Sequence, residues 1–326
     1  MRFLALIFLL LLTGCAQSLP DSACGVETGI MAESQDTVAA IDEPETLPET
    51  PVTTESGTSA IHTETEPLII PDGVESDITD PACAELISEL KAFADGFRDI
   101  SIYYTDIDRT HYLAINADYE HEGASVLKAL YCHFLLKHNV DRERLINFDE
   151  ATRTSTSGEL SEDAVGKDFS VDELIKLSIV YSDNMAYRLL FKTYGRYGFN
   201  DYIKSLGAET PRLPPGYEFS TVTARDLSTG MLDIYSYSLE TDYQFYTDLL
   251  TESAPGGLID SGSKYVVAHK YGYHGGYDGY HDTAIVYAEK PYILTIMTRV
   301  FPYAKDSDEV FRRTTELVEA IHEKLN

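Results

Sequence analysis

A serine hydroxyl is a poor nucleophile until a base stands within hydrogen-bond reach, and a lysine is a poor base until its amine is kept neutral. Ser125-Val126-Leu127-Lys128 sets the two one helical turn apart. Further along come Ser182-Asp183-Asn184 and Lys270-Tyr271-Gly272, which add a second hydroxyl, a carboxamide and a second cation. In that order the three segments describe a site for serine acyl transfer. Each is weak alone: Ser88 with Lys91 and Ser261 with Lys264 repeat the first spacing, yet neither has a Ser-Asp-Asn at a comparable distance downstream, so both are read as chance matches.

Hydrophobic spacing predicts the elements that must hold these groups. Residues 126–140 are apolar on more than one face, which predicts a deeply buried helix with Ser125 at its first turn, where free backbone N–H groups favour developing negative charge. Ser182-Asp183-Asn184 falls between helical patterns at 171–181 and 185–194, hence in a turn between two helices. Lys270 follows the strand-like run 265–268, at whose end it would face a cleft. Leu86, Ile87, Leu90, Phe93, Ala94 and Phe97 predict a helix at the start of the domain, and Val310, Phe311, Leu317, Val318, Ile321 and Leu325 one at its end. Runs 102–104 and 112–115 read as one hairpin, 284–287 and 292–297 as another. Strands at the two ends and helices in the middle predict an α+β fold, an antiparallel sheet flanked by N- and C-terminal helices plus a helical subdomain.

Together with Ile115-Asn-Ala-Asp, the segment from Ser220 to Leu227 and the segment from His281 to Tyr287, these motifs resemble the class A β-lactamase and penicillin-binding serine hydrolase superfamily over nearly the whole domain. The resemblance extends to compact class A-like hydrolases exported by Gram-positive bacteria. It implies the β-lactamase/D,D-peptidase fold and an acyl-serine mechanism, with Ser125 as nucleophile, Lys128 as base, Ser182 passing a proton to the leaving nitrogen, and Asn184 holding the substrate amide and Lys128. It further implies that Lys270 supplies positive charge for a substrate carboxylate and that the backbone N–H groups of Ser125 and Tyr273 hold the oxyanion. Asp183 would brace its turn. The implied substrates are a β-lactam or a D-alanyl-D-alanine-like amide of peptidoglycan. Readings as a β-lactamase, a D,D-peptidase that β-lactams inhibit, or a penicillin-binding sensor without turnover all fit the same residues.

Two departures from that pattern stand out. Beside Gly272, Tyr271 replaces the small hydroxyl residue that contacts the substrate carboxylate, and it reads either as a direct substrate contact or as a strand residue packing on its neighbours. The loop from 207 to 219 lacks the Glu-x-x-Leu-Asn segment whose glutamate activates the deacylating water. Glu218 lies at a similar distance from Ser182 and is the candidate substitute, against the reading of a solvated carboxylate beside Pro-Pro-Gly. The Tyr/Gly stretch 271–280 reads as a turn between strands or, less directly, as a glycan groove.

At the N-terminus, Met1-Arg2, an apolar run over 3–12 and Leu12-Thr13-Gly14-Cys15 read as an export signal, too short to span a bilayer. The last four residues resemble a lipobox, which implies lipidation at Cys15 and attachment to the outer face of the membrane of a Gram-positive cell; an ordinary cleaved signal is the competing reading. Residues 16–80 hold no Lys or Arg among many Asp, Glu, Thr, Ser and Pro, and predict a disordered acidic tether ahead of one catalytic domain over 81–326. The formal charge of −29 speaks against a nucleic-acid partner. Cys24 lies in the tether, Cys83 and Cys132 suggest no disulfide framework, and His269, His274 and His281 lack metal-ligand spacing. No cofactor is expected, and a monomer is.

Overall fold

The computed structural model describes residues 68–153, 158–240, 243–276, 279–300 and 307–326. The signal segment, Cys15, Cys24 and the tether up to residue 67 lie outside the described residues.

Ten strands and nine helices are described. The main antiparallel sheet contains β1 (Val74–Ser76), β2 (Ser101–Asp106), β3 (Tyr112–Ile115), β8 (Val266–His274), β9 (Gly279–Tyr287) and β10 (Tyr292–Thr298), in the order β1-β3-β2-β10-β9-β8. Two short ribbons pair β4 (His121–Glu122) with β7 (Thr221–Val222) and β5 (Leu145–Asn147) with β6 (Asp168–Ser170). The helices are α1 (Ala84–Ala94), α2 (Leu127–Lys137), α3 (Val171–Val180), α4 (Asn184–Tyr194), α5 (Phe199–Ser205), α6 (Ala224–Glu240), α7 (Gln244–Thr251), α8 (Ile259–Gly262) and α9 (Ser307–Leu325).

The period of two along β10 shows how the sheet divides two cores. Ile293 and Met297 enter the core built around α2 and α6, while Tyr292, Leu294 and Ile296 enter the one covered by α1 and α9. The predicted segregation of helices and strands thus holds, with the two ribbons added inside the helical middle. From Leu127 to Leu136 every residue of α2 is buried, which explains why its apolar pattern does not favour one face. Each fully buried leucine there stabilises the fold by roughly 1.5–3 kcal/mol, which offsets the polar groups that the same helix takes inside.

Three expectations are corrected. The folded domain starts before residue 81, because Val74, Glu75 and Ser76 pair with Ile115, Ala114 and Leu113 on β3. An edge strand needs only a few residues of extended backbone, so an acidic stretch can supply one. Lys270 sits in the middle of β8 and not at a strand end, paired with Thr283, because β8 continues through the Tyr/Gly stretch to His274. The helix after Ser125 is shorter than 126–140, ending at Lys137, and a 3-10 turn at Ala124–Val126 leads into it.

Candidate active site

Ser125 lies in that 3-10 turn, directly ahead of α2. Ala124 before it has a φ of +47°, a left-handed conformation that costs an alanine on the order of 1–2 kcal/mol and lets the chain swing abruptly from β4 into the turn. Two neighbours pin the turn. Gly123 N donates to Ser220 O at 3.0 Å, and the edge strand β8 presses against it at Gly272. A Cβ on Gly272 would stand 3.0 Å from Ser125 N and 2.9 Å from Val126 N, backbone atoms that cannot move aside, so the third motif needs glycine there.

Lys128, one turn along, is fully buried. Its amine donates to Ser182 O at 2.6 Å and Asn184 Oδ1 at 2.6 Å, with Ser182 Oγ at 3.5 Å; its hydrogen bonds run to the second motif and not to Ser125. The second motif is held by its central carboxylate. Asp183 caps α4, accepting from Ala186 N at 2.8 Å, and also accepts from Leu160 N at 2.7 Å, which is the bracing role anticipated for it. Ser182 has a φ of +54°, and this turn brings both its carbonyl and its hydroxyl toward Lys128.

Among the described residues no carboxylate forms an ion pair with Lys128 or Lys270. Burial therefore dominates. It lowers the proton affinity of the Lys128 amine to a pKa of about 7, against the pull of the Asp183, Cys132 and Glu218 charges. Lys270 is lowered as well, by burial first and by the nearby Lys128 second. Cys132, on the same helix, is buried as a free thiol and pushed up to about 12 by desolvation, which makes it an inert wall residue.

Lys270 has no exposed surface, and its amine donates to Tyr271 O at 3.0 Å while standing 4.1 Å from the centroid of the Tyr271 ring. β8 is the edge strand of the sheet, and Gly272, between Tyr271 and Tyr273, lies directly against the Ser125 turn.

Glu218 lies two residues before Ser220, whose carbonyl ties this loop to the serine turn. It lines an open cavity of about 650 Å³ together with Glu122, Arg188, Arg212, Tyr217 and Ser220. Burial raises the Glu218 carboxyl pKa, opposed by Arg188 and Lys128, and Arg188 Nε stands 3.2 Å from Oε1. Sequence reasoning missed two supports of this corner. Tyr187 donates to Glu218 O at 3.0 Å and its ring lies 5.6 Å from the Lys128 amine; Arg188 flanks the carboxylate. Their signal was present: both follow Asn184 at the three- and four-residue spacing that shares a helix face.

The antiparallel sheet with its terminal helices and helical subdomain is the class A β-lactamase fold. The solved PBP-A mutant in an acyl-enzyme complex with penicillin G superposes with a TM-score of 0.65 at 19% identity, covering 74% of this chain and 97% of that one. The class A beta-lactamase of Clostridium kluyveri does so with a TM-score of 0.62 at 23% identity, covering 72% and 98%. In sequence, the beta-lactamase of Amycolatopsis lactamdurans is 28% identical over 256 residues, 70% of this chain and 82% of the relative. Beta-lactamase ROB-1 of Haemophilus influenzae is 32% identical over 124 residues, 36% of this chain and 40% of the relative. Residues 85–321 match the Beta-lactamase enzyme family, and the chain belongs to it.

Proposed function

We propose that this protein is a serine hydrolase that opens β-lactam rings through an acyl-enzyme on Ser125. The observation that carries the reading is the buried amine of Lys128, uncompensated by any carboxylate ion pair among the described residues and brought near neutral in its proton affinity. A neutral amine has two hydrogens and one lone pair. The two acceptors at 2.6 Å, Ser182 O and Asn184 Oδ1, match the hydrogens and leave the lone pair for the serine proton.

Ser125 Oγ attacks the lactam carbonyl while Lys128 takes its proton. The tetrahedral oxyanion is held by the N–H groups of Ser125 and Tyr273, each donor worth roughly 3–4 kcal/mol in comparable sites. As the C–N bond breaks, Ser182 gives its hydroxyl proton to the departing nitrogen and is reprotonated by the Lys128 ammonium, whose nitrogen stands 3.5 Å from Ser182 Oγ. For deacylation, Glu218 serves as the base that activates water, a role supported by its partial burial, its raised proton affinity and its electrostatic reach to Lys128. This favours β-lactam turnover over a peptidase or sensor that keeps the β-lactam as a long-lived acyl-enzyme. The Leu12-Thr13-Gly14-Cys15 pattern supports a lipid anchor at Cys15 on the outer membrane face.

One experiment tests the assignment. The purified domain is mixed with a chromogenic cephalosporin and a fluorescent penicillin, and ring opening is followed alongside covalent labelling. Rapid chromophore release that disappears in Ser125→Ala is expected. Stable labelling without release would favour the peptidase or sensor, and absence of both would overturn the proposal.

A further inference from the structure

Resting on the reading above, we propose that Tyr271 withholds the Lys270 cation from substrate, so that this enzyme acylates donors lacking a carboxylate beside the scissile bond about as readily as donors that carry one.

The family pattern puts a small hydroxyl residue after the third-motif lysine, leaving the lysine open on that side and adding a donor for a carboxylate. Here three features close the same approach. Lys270 exposes no surface at all. Its one hydrogen bond among the described residues goes to Tyr271 O at 3.0 Å. The ring of Tyr271 stands with its centroid 4.1 Å from the amine, within the range in which a cation is held by an aromatic face. A carboxylate oxygen must come to about 2.8 Å from an ammonium to form a charge-assisted bond, and the ring occupies that approach. Burial and the neighbouring Lys128 amine lower the proton affinity of Lys270 itself, so it stands as an internal group of the pocket and not as a ligand for substrate. Substrate is then oriented by the edge of β8 and by Asn184 alone, contacts that do not require a carboxylate.

The test compares acylation of wild type, Tyr271→Phe and Tyr271→Thr by a matched pair, one cephalosporin as the free acid and as the carboxamide at the same position. Wild type and Tyr271→Phe, which keep the ring, should favour the acid by less than about threefold. Tyr271→Thr should raise that preference about tenfold or more. A wild-type preference for the acid of tenfold or more, undiminished in Tyr271→Phe, overturns the inference. A second readout needs no turnover and separates this inference from the assignment of function: N-acetylglycine, a bare carboxylate probe, is titrated while the side-chain resonance of Lys270 is followed by NMR. A shift in Tyr271→Thr with none in wild type supports withholding even if no β-lactam reacts; a shift in wild type, or in neither protein, refutes it.

Discussion

Two basic clusters meet helix α2, one at each end, and they are built on opposite principles. At its far end, Asp233 gathers His133 Nε2 at 2.8 Å, Lys137 Nζ at 2.7 Å and the Tyr202 hydroxyl at 2.8 Å, while His133 Nδ1 meets the Tyr243 hydroxyl at 2.7 Å. Burial works to raise the Asp233 carboxyl, but these donors outweigh it and hold it well below the usual carboxylate range. At the near end, Lys128 and Lys270 face each other's charge with carbonyls, a carboxamide and an aromatic ring for company. Where Lys137 and the His133 imidazole share a carboxylate the cluster is satisfied and serves stability. Where the carboxylate is withheld, the free energy of burying charge appears as lowered proton affinity, which is what a general base needs.

The contrast is broken most forcefully by Lys128→Met. Acylation measured with a chromogenic β-lactam should fall by about 10²- to 10⁴-fold, while thermal stability changes little, since relief of a buried amine without a carboxylate partner offsets the loss of its bonds to Ser182 O and Asn184 Oδ1. Loss of stability together with activity would show that Lys128 serves the fold as Lys137 does. Glu218→Gln should leave acylation in place and slow deacylation by about 10²-fold, seen by mass spectrometry as an accumulating acyl-enzyme. Free turnover in that variant would remove Glu218 from the mechanism.

Asp233→Ala sharpens the comparison from the other end. Leaving His133 and Lys137 without their carboxylate should cost on the order of 3 kcal/mol in denaturant unfolding, while acylation changes little. The gentlest probe is pH. The acylation rate should rise up to about tenfold per pH unit below a midpoint near 7, where the Lys128 amine gives up its proton, and then level off. Linkage sets the sign for stability. A folded pKa near 7 against an unfolded value of 10.5 means the unfolded chain binds more protons between those limits, so this group's contribution to stability rises with pH across the window. Lys128→Met should erase both slopes, and a rate profile unmoved by the substitution would assign the midpoint to another group.

Much of the site was legible before any fold was known, for reasons tied to particular residues. Ser125 in its 3-10 turn and Lys128 in the first turn of α2 stand at i and i+3, and Asp183 caps α4 in the turn between two helices, both local relations that spacing encodes. Tyr187 and Arg188 were equally accessible from Asn184 but carried no motif to draw attention to them. The strand pattern at Lys270 is cut short by the glycines that follow; pairing of Tyr271 with Asp282 and Gly272 with His281 carries β8 onward regardless.

By itself the sequence determined which groups are available and the order of the elements that bear them, since helical and strand periodicities are properties of neighbouring residues. Tertiary structure alone decided three things. It folded Val74–Ser76 onto β3, brought Glu218 within electrostatic reach of Lys128, and set the Tyr271 ring over Lys270. For the first two the physical reason is that pairing and charge–charge distance depend on which distant segments meet; for the third, neighbouring strand side chains start on opposite faces, and burial of Lys270 bends its amine round to the ring.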